Sequence, residues 1–419
     1  MYYLLFTFYL ILFCWLITRI KFFKKSELGS QILIVLFLAR VFVGLINAYI
    51  NLYYLPVSDS VAFHLDGIQE YNLLFQNPYE YATNIFQSGN KGYGKLLESS
   101  NSFWNDTRSN LIIKMLSLFD IFSRTNFFIN SLFYNFLVFF GTVALYKVFI
   151  KLFPSYKYVL IGCIFLLPSV IFFSSSIHRD GLMYLSLSMV IYHFFFMMKN
   201  NSYPLKRILI TIFFLLLIFL IRNFVFIILI PPILAWFLSE KKPKHTLYIF
   251  AGIYLVIGIL FFSSVYLPPA YNLPAHVASR QSDFVEIAKN GASAININPL
   301  YPNLGSFLIN IPQALNHSFM RPYLFEHNNF LYIPSSVEIF LYEILLLLFV
   351  FFRKKNTKIY PLIYFSVFFA VTMFLVIGYT IPIMGAIVRY RSIYLPFILM
   401  PIVCYTDWEK FKGQFHIKI

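Results

Sequence analysis

The stretch SSSIHRDGLMY, residues 174–184, sets an arginine and an aspartate side by side between two apolar runs, IGCIFLLPSVIFF (161–173) and LSLSMVIYHFFFMM (185–198). Each run lies in a stretch, 157–175 and 181–198, close to the ~20 residues that cross a bilayer as a helix. Charged groups are costly inside lipid and tend to pair or to serve a site. The stretch is therefore read as a tight turn between two spans, which keeps His178, Arg179 and Asp180 at a membrane boundary. That reading makes the chain an all-α polytopic bundle, a single integral membrane domain over residues 1–419.

Composition agrees. Of 419 residues, 59% are hydrophobic and 12% charged, against about 25% charged in soluble domains. Apolar stretches of spanning length recur at 1–18, 31–55, 126–150, 157–175, 181–198, 206–221, 223–239, 246–266, 336–352, 359–378 and 384–405, which predicts about eleven spans. Two long polar segments interrupt them, at 56–125 and 267–335, and both are expected to be partly helical. No small-residue cleavage site follows the first stretch, so it is expected to be a retained helix. Abundant Phe, Tyr, Ile, Asn and Lys suggest an AT-rich bacterial genome.

Orientation follows from charge. IKFFKK (20–25), KNNSYPLKR (199–207), EKKPKH (240–245), RKKNTK (353–358) and the tail EKFKGQFHIKI all fall on one side of this arrangement. The positive-inside rule places that side in the cytoplasm. The N-terminus and both long loops are then outside, the C-terminus is inside, and the expected location is a bacterial inner membrane. The net charge of +16 thereby reports orientation. Nucleic-acid binding is not expected, because no soluble domain is available to present the charge.

The charges that orientation leaves unexplained lie at the outer ends of spans. They are Arg179 and Asp180 beside His178, Arg222 in FLIRNFVF, Arg389 and Arg391 in GAIVRYRSIYLPF, Asp59 and Asp66 in PVSDSVAFHLD, and Arg321 in FMRPYLFEHNN. The simplest reading of Arg179 and Asp180 is a local ion pair, and of Asp59 a helix cap. Arginines recurring on three separate turns point further. The guanidinium fork matches phosphate oxygens and keeps its charge, so Arg179, Arg222, Arg389 and Arg391 are expected around one cavity at the outer boundary. Asp59 and Asp66, seven residues apart, would share one face of a helix. Arg40, within the second stretch, is expected to snorkel to the cytoplasmic face. Glu343 is expected to pair within its helix bundle.

Several classes are excluded. HRD occurs without the Gly-rich loop, DFG or following Asn of a protein kinase. No phosphate-binding Gly-rich loop, HExxH, GxSxG or CxxC is present. Cys14, Cys163 and Cys404 sit in apolar runs without metal-site spacing, and no disulfide framework is expected. A secondary transporter is disfavoured rather than excluded, since no internal repeat of that kind is visible.

With these residues in view, the layout resembles the polytopic bacterial glycosyltransferases of the GT-C class and the related O-antigen-polymerase-like proteins. The resemblance rests on SDSVAFHLDGIQEY (58–71), LPSVIFFSSSIHRDGL (167–182), LIRNF (220–224), RPYLFEHNN (321–329) and RYRSIYLPF (389–397). It implies sugar transfer from a polyprenyl-linked donor to a glycan or lipid-linked acceptor at the periplasmic face. It further implies that Asp59 activates the acceptor hydroxyl, with Asp66 in reserve, and that the arginines hold the donor phosphate. The acid here follows the second span, where that class places it after the first. No acidic pair indicates a divalent metal, and no cofactor is expected. The alternatives are a transporter or flippase of an anionic lipid or solute, which would use the arginines but no catalytic acid, and a non-enzymatic scaffold.

Overall fold

The computed structural model of the chain describes residues 1–88, 103–289, 293–326, 332–355 and 357–414. Asn101 and His327, in the two long polar segments, lie outside the described residues. Among the described residues the regular structure is helical, and the extended pairings are two isolated bridges, Ala294 with Ile383 and Arg353 with Thr406. Among the described residues eight helices are long and apolar enough to cross a membrane, or up to ten if each of two bent helix pairs forms one span. The further span expected at 206–221 forms the helix Leu205–Ile221, 17 residues long, at the lower limit for crossing a hydrocarbon core.

The chain forms two compact units. The first comprises Met1–Lys151 and Ile164–Asn223. Its helices are α1 (Tyr2–Arg19), α2 (Ser30–Tyr53), α3 (Asp59–Gln76), α4 (Phe103–Ser123), α5 (Phe127–Ile150), α6 (Pro168–Ser175), α7 (Arg179–Lys199) and α8 (Leu205–Ile221). The centre of this unit is α5. Asn126 starts it by accepting hydrogen bonds from the backbone N–H groups of Phe128 and Ile129, both at 3.1 Å, which satisfies donors that a helix leaves open at its first turn. Gly141 lets α7 approach closely: a Cβ there would lie 2.6 Å from the Leu185 Cα. Aromatic rings fill the other side, with Phe13 of α1 stacked on Phe136 of α5 at 4.3 Å and Phe37 of α2 against Phe139 at 5.4 Å. Helices α3 and α4 belong to the first long polar segment and pack on each other.

The second unit comprises Leu152–Cys163 and Phe224–Ile419. It contains α9 (Asn223–Lys241), the span α10 (Pro243–Tyr266), α11 (Leu273–Ala288), α12 (Leu304–Leu315), α13 (Ile333–Phe351), α14 (Pro361–Thr380), α15 (Met384–Ser392) and α16 (Leu395–Tyr405). The axis bends by 61° between α15 and α16. Helices α11 and α12 come from the second long polar segment and are tied to α14. Gln281 donates to the carbonyls of Asn298 (3.1 Å) and Tyr379 (2.7 Å) and accepts from the Leu300 N–H (2.8 Å). The Tyr379 hydroxyl donates to the Phe307 carbonyl at 2.8 Å. One buried amide thus satisfies three backbone groups, so an irregular segment can pack on a span without leaving them unpaired.

Candidate functional site

The SSSIHRD turn lies inside the first unit, and neighbouring helices satisfy its backbone. Arg40 of α2 donates to the Ser174 carbonyl. Asn135 of α5 donates to the Ser175 carbonyl at 3.0 Å. The Tyr134 hydroxyl donates to the His178 carbonyl and accepts from the Leu182 N–H at 3.1 Å. The Ser176 hydroxyl faces that of Ser60 on α3 at 3.1 Å. Exposed to lipid, these carbonyls would each cost several kcal/mol; here polar side chains from apolar helices take them up. Arg40 therefore does not snorkel to the cytoplasmic face but is buried against this turn.

The turn delivers its side chains into a linear quartet. His178 Nε2 lies 2.9 Å from Asp59 Oδ2, and His178 Nδ1 lies 3.1 Å from Asp180 Oδ2. The other oxygen of Asp180 accepts from the Arg222 guanidinium. His178, Asp180 and Arg222 are buried, whereas the Asp59 side chain is 57% exposed. Asp180 and Arg222 compensate each other, and the His178 ring bridges the two carboxylates. A compensated chain of this kind can sit in a dry interior, where an isolated charge could not. It leads from a guanidinium in the protein to a carboxylate open to the surroundings. Asp180 is the second residue of α7, where a helix N-terminus also favours negative charge.

The structure gives these side chains further partners. The Asp180 carboxylate pairs with Arg222 and His178, while Arg179 reaches Ser109 of α4 at 2.8 Å and lies 5.3 Å from the Phe63 ring centre. Asp59 is the first residue of α3, with Ser58 at the cap position. Asp66 is on the same helix, about 10 Å further along its axis, but in a different setting. It lines a cleft of about 240 Å³ with Gln69, Glu70, Asn84, Asn110 and Lys114. Partial burial and the neighbouring Glu70 raise its pKa.

Beneath that cleft, a second polar group anchors α3 and α4 to α5. Asn130 donates to Asp120 Oδ1 at 2.7 Å, and the Ser123 hydroxyl donates to the same oxygen at 3.2 Å. Burial raises the Asp120 pKa. His64 packs on the Phe127 ring at 5.0 Å, and burial lowers its pKa to about 4.

Arg321, Arg389 and Arg391 belong to the second unit. The Arg321 guanidinium is engaged by Glu326, with its Nε donating at 2.8 Å. Arg391 is fully buried and donates to the backbone carbonyls of Arg321 and Ser318. Arg389 is half-buried and stands over the Tyr390 ring at 5.4 Å. The acid that α13 buries is Glu338, to which the Tyr342 hydroxyl donates; Glu343 is half-buried.

Sequence reading missed Tyr134, Asn135, Ser60 and the role of Arg40. A signal for two of them was present, since NSLFYN (130–135) sets three polar groups at helical spacing on an otherwise apolar span. Among the described residues no group of three or more His, Cys, Asp or Glu side chains is placed to hold a metal ion. Comparison with known proteins finds no family model, no curated protein and no solved structure that matches this chain.

Proposed function

We propose that the chain is a membrane glycosyltransferase or polysaccharide polymerase that uses a polyprenyl-linked sugar in cell-surface glycan assembly. One observation carries this reading. An exposed carboxylate, Asp59, is fixed through His178 and Asp180 to a buried arginine at the end of a membrane helix. In such a site Asp59 accepts the proton of the acceptor hydroxyl as that oxygen attacks the anomeric carbon. The bond from the anomeric carbon to the lipid phosphate breaks, and the phosphate leaves with the electron pair. General-base help of this kind contributes about 10²–10⁴-fold. His178 supports the carboxylate through the oxygen that does not face the acceptor.

We assign Arg179, next to His178 and half-buried, to the leaving phosphate, where a fixed cation stabilises the developing charge. Arg222 is already balanced by Asp180 and orients the quartet. The basic loops set this site at the periplasmic side of a bacterial inner membrane, where lipid-linked sugars are presented.

The test is transfer of a labelled sugar from a polyprenyl phosphate or pyrophosphate donor by membranes holding the protein. Wild type transfers, while Asp59→Asn and His178→Ala lose most of the rate at normal expression. Full transfer by well-expressed Asp59→Asn protein removes Asp59 from the chemistry.

A further inference from the structure

A second constellation lies at the other end of the first unit. Helices α5 and α7 run side by side in the same direction: Tyr134 meets Leu182, Gly141 meets Leu185, and Lys147 meets Tyr192. Thirteen residues separate Tyr134 from Lys147, about 20 Å of helix. The chain turns there through the basic segments IKFFKK and KNNSYPLKR.

Lys147 is buried at this end. Its ammonium donates to the Phe22 carbonyl at 3.0 Å and stands 4.3 Å from the Phe22 ring centre and 5.1 Å from that of Tyr192. Its charged neighbours are Lys25, Arg207, Lys151 and a single acid, Glu27. That acid is engaged by Lys151. Arg207 begins α8 with its guanidinium 5.6 Å from the Phe196 ring centre. Its Nη1 is buried and has no hydrogen-bond partner among the described residues.

Four cations around one acid repel one another. Lys147 cannot relieve this by turning to water, because a carbonyl and two rings hold it. A buried guanidinium nitrogen without an acceptor adds the cost of an unmade hydrogen bond. A phosphate group answers both deficits, supplying negative charge and several acceptor oxygens in the geometry that arginine pairs with. The cluster also sits where spanning helices end, the depth of lipid headgroups, and basic pockets between helices at that depth suit anionic lipids. We propose that Lys25, Lys147, Lys151 and Arg207 form a binding site for the phosphate of an anionic lipid headgroup, separate from the Asp59 site. The chemistry is that of any phosphate; the position at the helix ends selects the lipid.

The test uses the full-length protein in neutral detergent with three parallel probes: phosphatidylglycerol, phosphatidylcholine and inorganic phosphate. Native mass spectrometry counts retained lipid, and thermal unfolding reads stabilisation. Phosphatidylglycerol is expected to stay bound and to raise the unfolding temperature with concentration, as a ligand of the native state does, and phosphatidylcholine is not. At about fivefold in affinity per basic residue at a membrane surface, Arg207→Gln binds phosphatidylglycerol about fivefold more weakly. Arg207→Gln combined with Lys25→Gln binds it about 25-fold more weakly. Should Arg207→Gln fail to fold, Lys25→Gln, at an exposed position, carries the same test alone. Equal retention of the two lipids, or undiminished phosphatidylglycerol binding by the folded variants, overturns the site. Inorganic phosphate that stabilises as well as phosphatidylglycerol and displaces it overturns the lipid assignment.

Discussion

Replacing Asp180 is the sharpest structural test of the quartet. Its carboxylate is 1% exposed and lies between the Arg222 guanidinium and the His178 ring, which are themselves buried. Asp180→Ala removes the carboxylate that Arg222 pairs with. It leaves a buried guanidinium without its carboxylate, a change that typically costs about 3–5 kcal/mol. The loss should be largely reversible by a second substitution. In Asp180→Ala with Arg222→Leu, neither charge remains, and a buried pair replaced by apolar groups is often close to neutral. The double variant is therefore expected to be more stable than Asp180→Ala alone, with a coupling of about 2–4 kcal/mol in the cycle, near the upper end for residues in contact. The assay is equilibrium unfolding of purified protein in one detergent for the four members of the cycle, with sugar transfer measured alongside. Stability should return in the double variant while transfer stays low, because the support behind His178 is gone. A cycle that closes with no coupling, or a single variant within about 1 kcal/mol of wild type, refutes the charge argument, since that loss is no larger than an ordinary substitution's.

Four further outcomes follow. Tyr134→Phe leaves the His178 carbonyl and the Leu182 N–H without the hydroxyl that joins them; a cost of about 1–3 kcal/mol is expected, measured by unfolding in detergent. Gly181→Ala drives a methyl group into the Tyr134 hydroxyl and the Ser174 carbonyl, an overpacking worth about 1–3 kcal/mol; wild-type stability in this variant would mean that the turn is looser than described. The His64 pKa falls to about 4 from an ordinary 6.5, so the unfolded chain binds the extra proton first, and the stability that His64 contributes is full above pH 6.5 and lost as pH falls toward 4. Over that window His64→Gln should lose less stability than wild type, by about 3 kcal/mol at most, read from unfolding at several pH values. Finally, cysteines placed at Lys241 and Lys354 should resist an impermeant thiol reagent in intact cells while one at Asn303 reacts; labelling at 241 would invert the orientation.

Some of this could be read before any coordinates. The helical class, the positions of the long apolar helices and the two polar interruptions follow from apolar runs of bilayer length, because the lipid core imposes its thickness on the sequence locally. The charges at Asp59, Arg179, Asp180 and Arg222 were legible for the same reason: a charge between apolar stretches stands out against its background. Less clear was the stretch 206–221, which forms the 17-residue helix Leu205–Ile221, at the lower limit for a crossing helix.

Partnership was not legible. Arg179 and Asp180 are adjacent in sequence, yet consecutive helical residues point about 100° apart, and each reaches a different element: Ser109 of α4 for one, His178 and Arg222 for the other. Asp59 and Asp66 keep the register that places them on one helix face, but only the packing of α3 decides that the first meets His178 and the second opens on a cleft. Arg40 and Tyr134 read as a snorkelling charge and an ordinary aromatic residue. Their function comes from carbonyls more than a hundred and more than forty residues away in sequence. The sequence determines which segments enter the membrane because that choice is made residue by residue against lipid. The site is determined only when helices distant along the chain bring their buried polar groups to the same turn, where each must find a partner that no local pattern encodes.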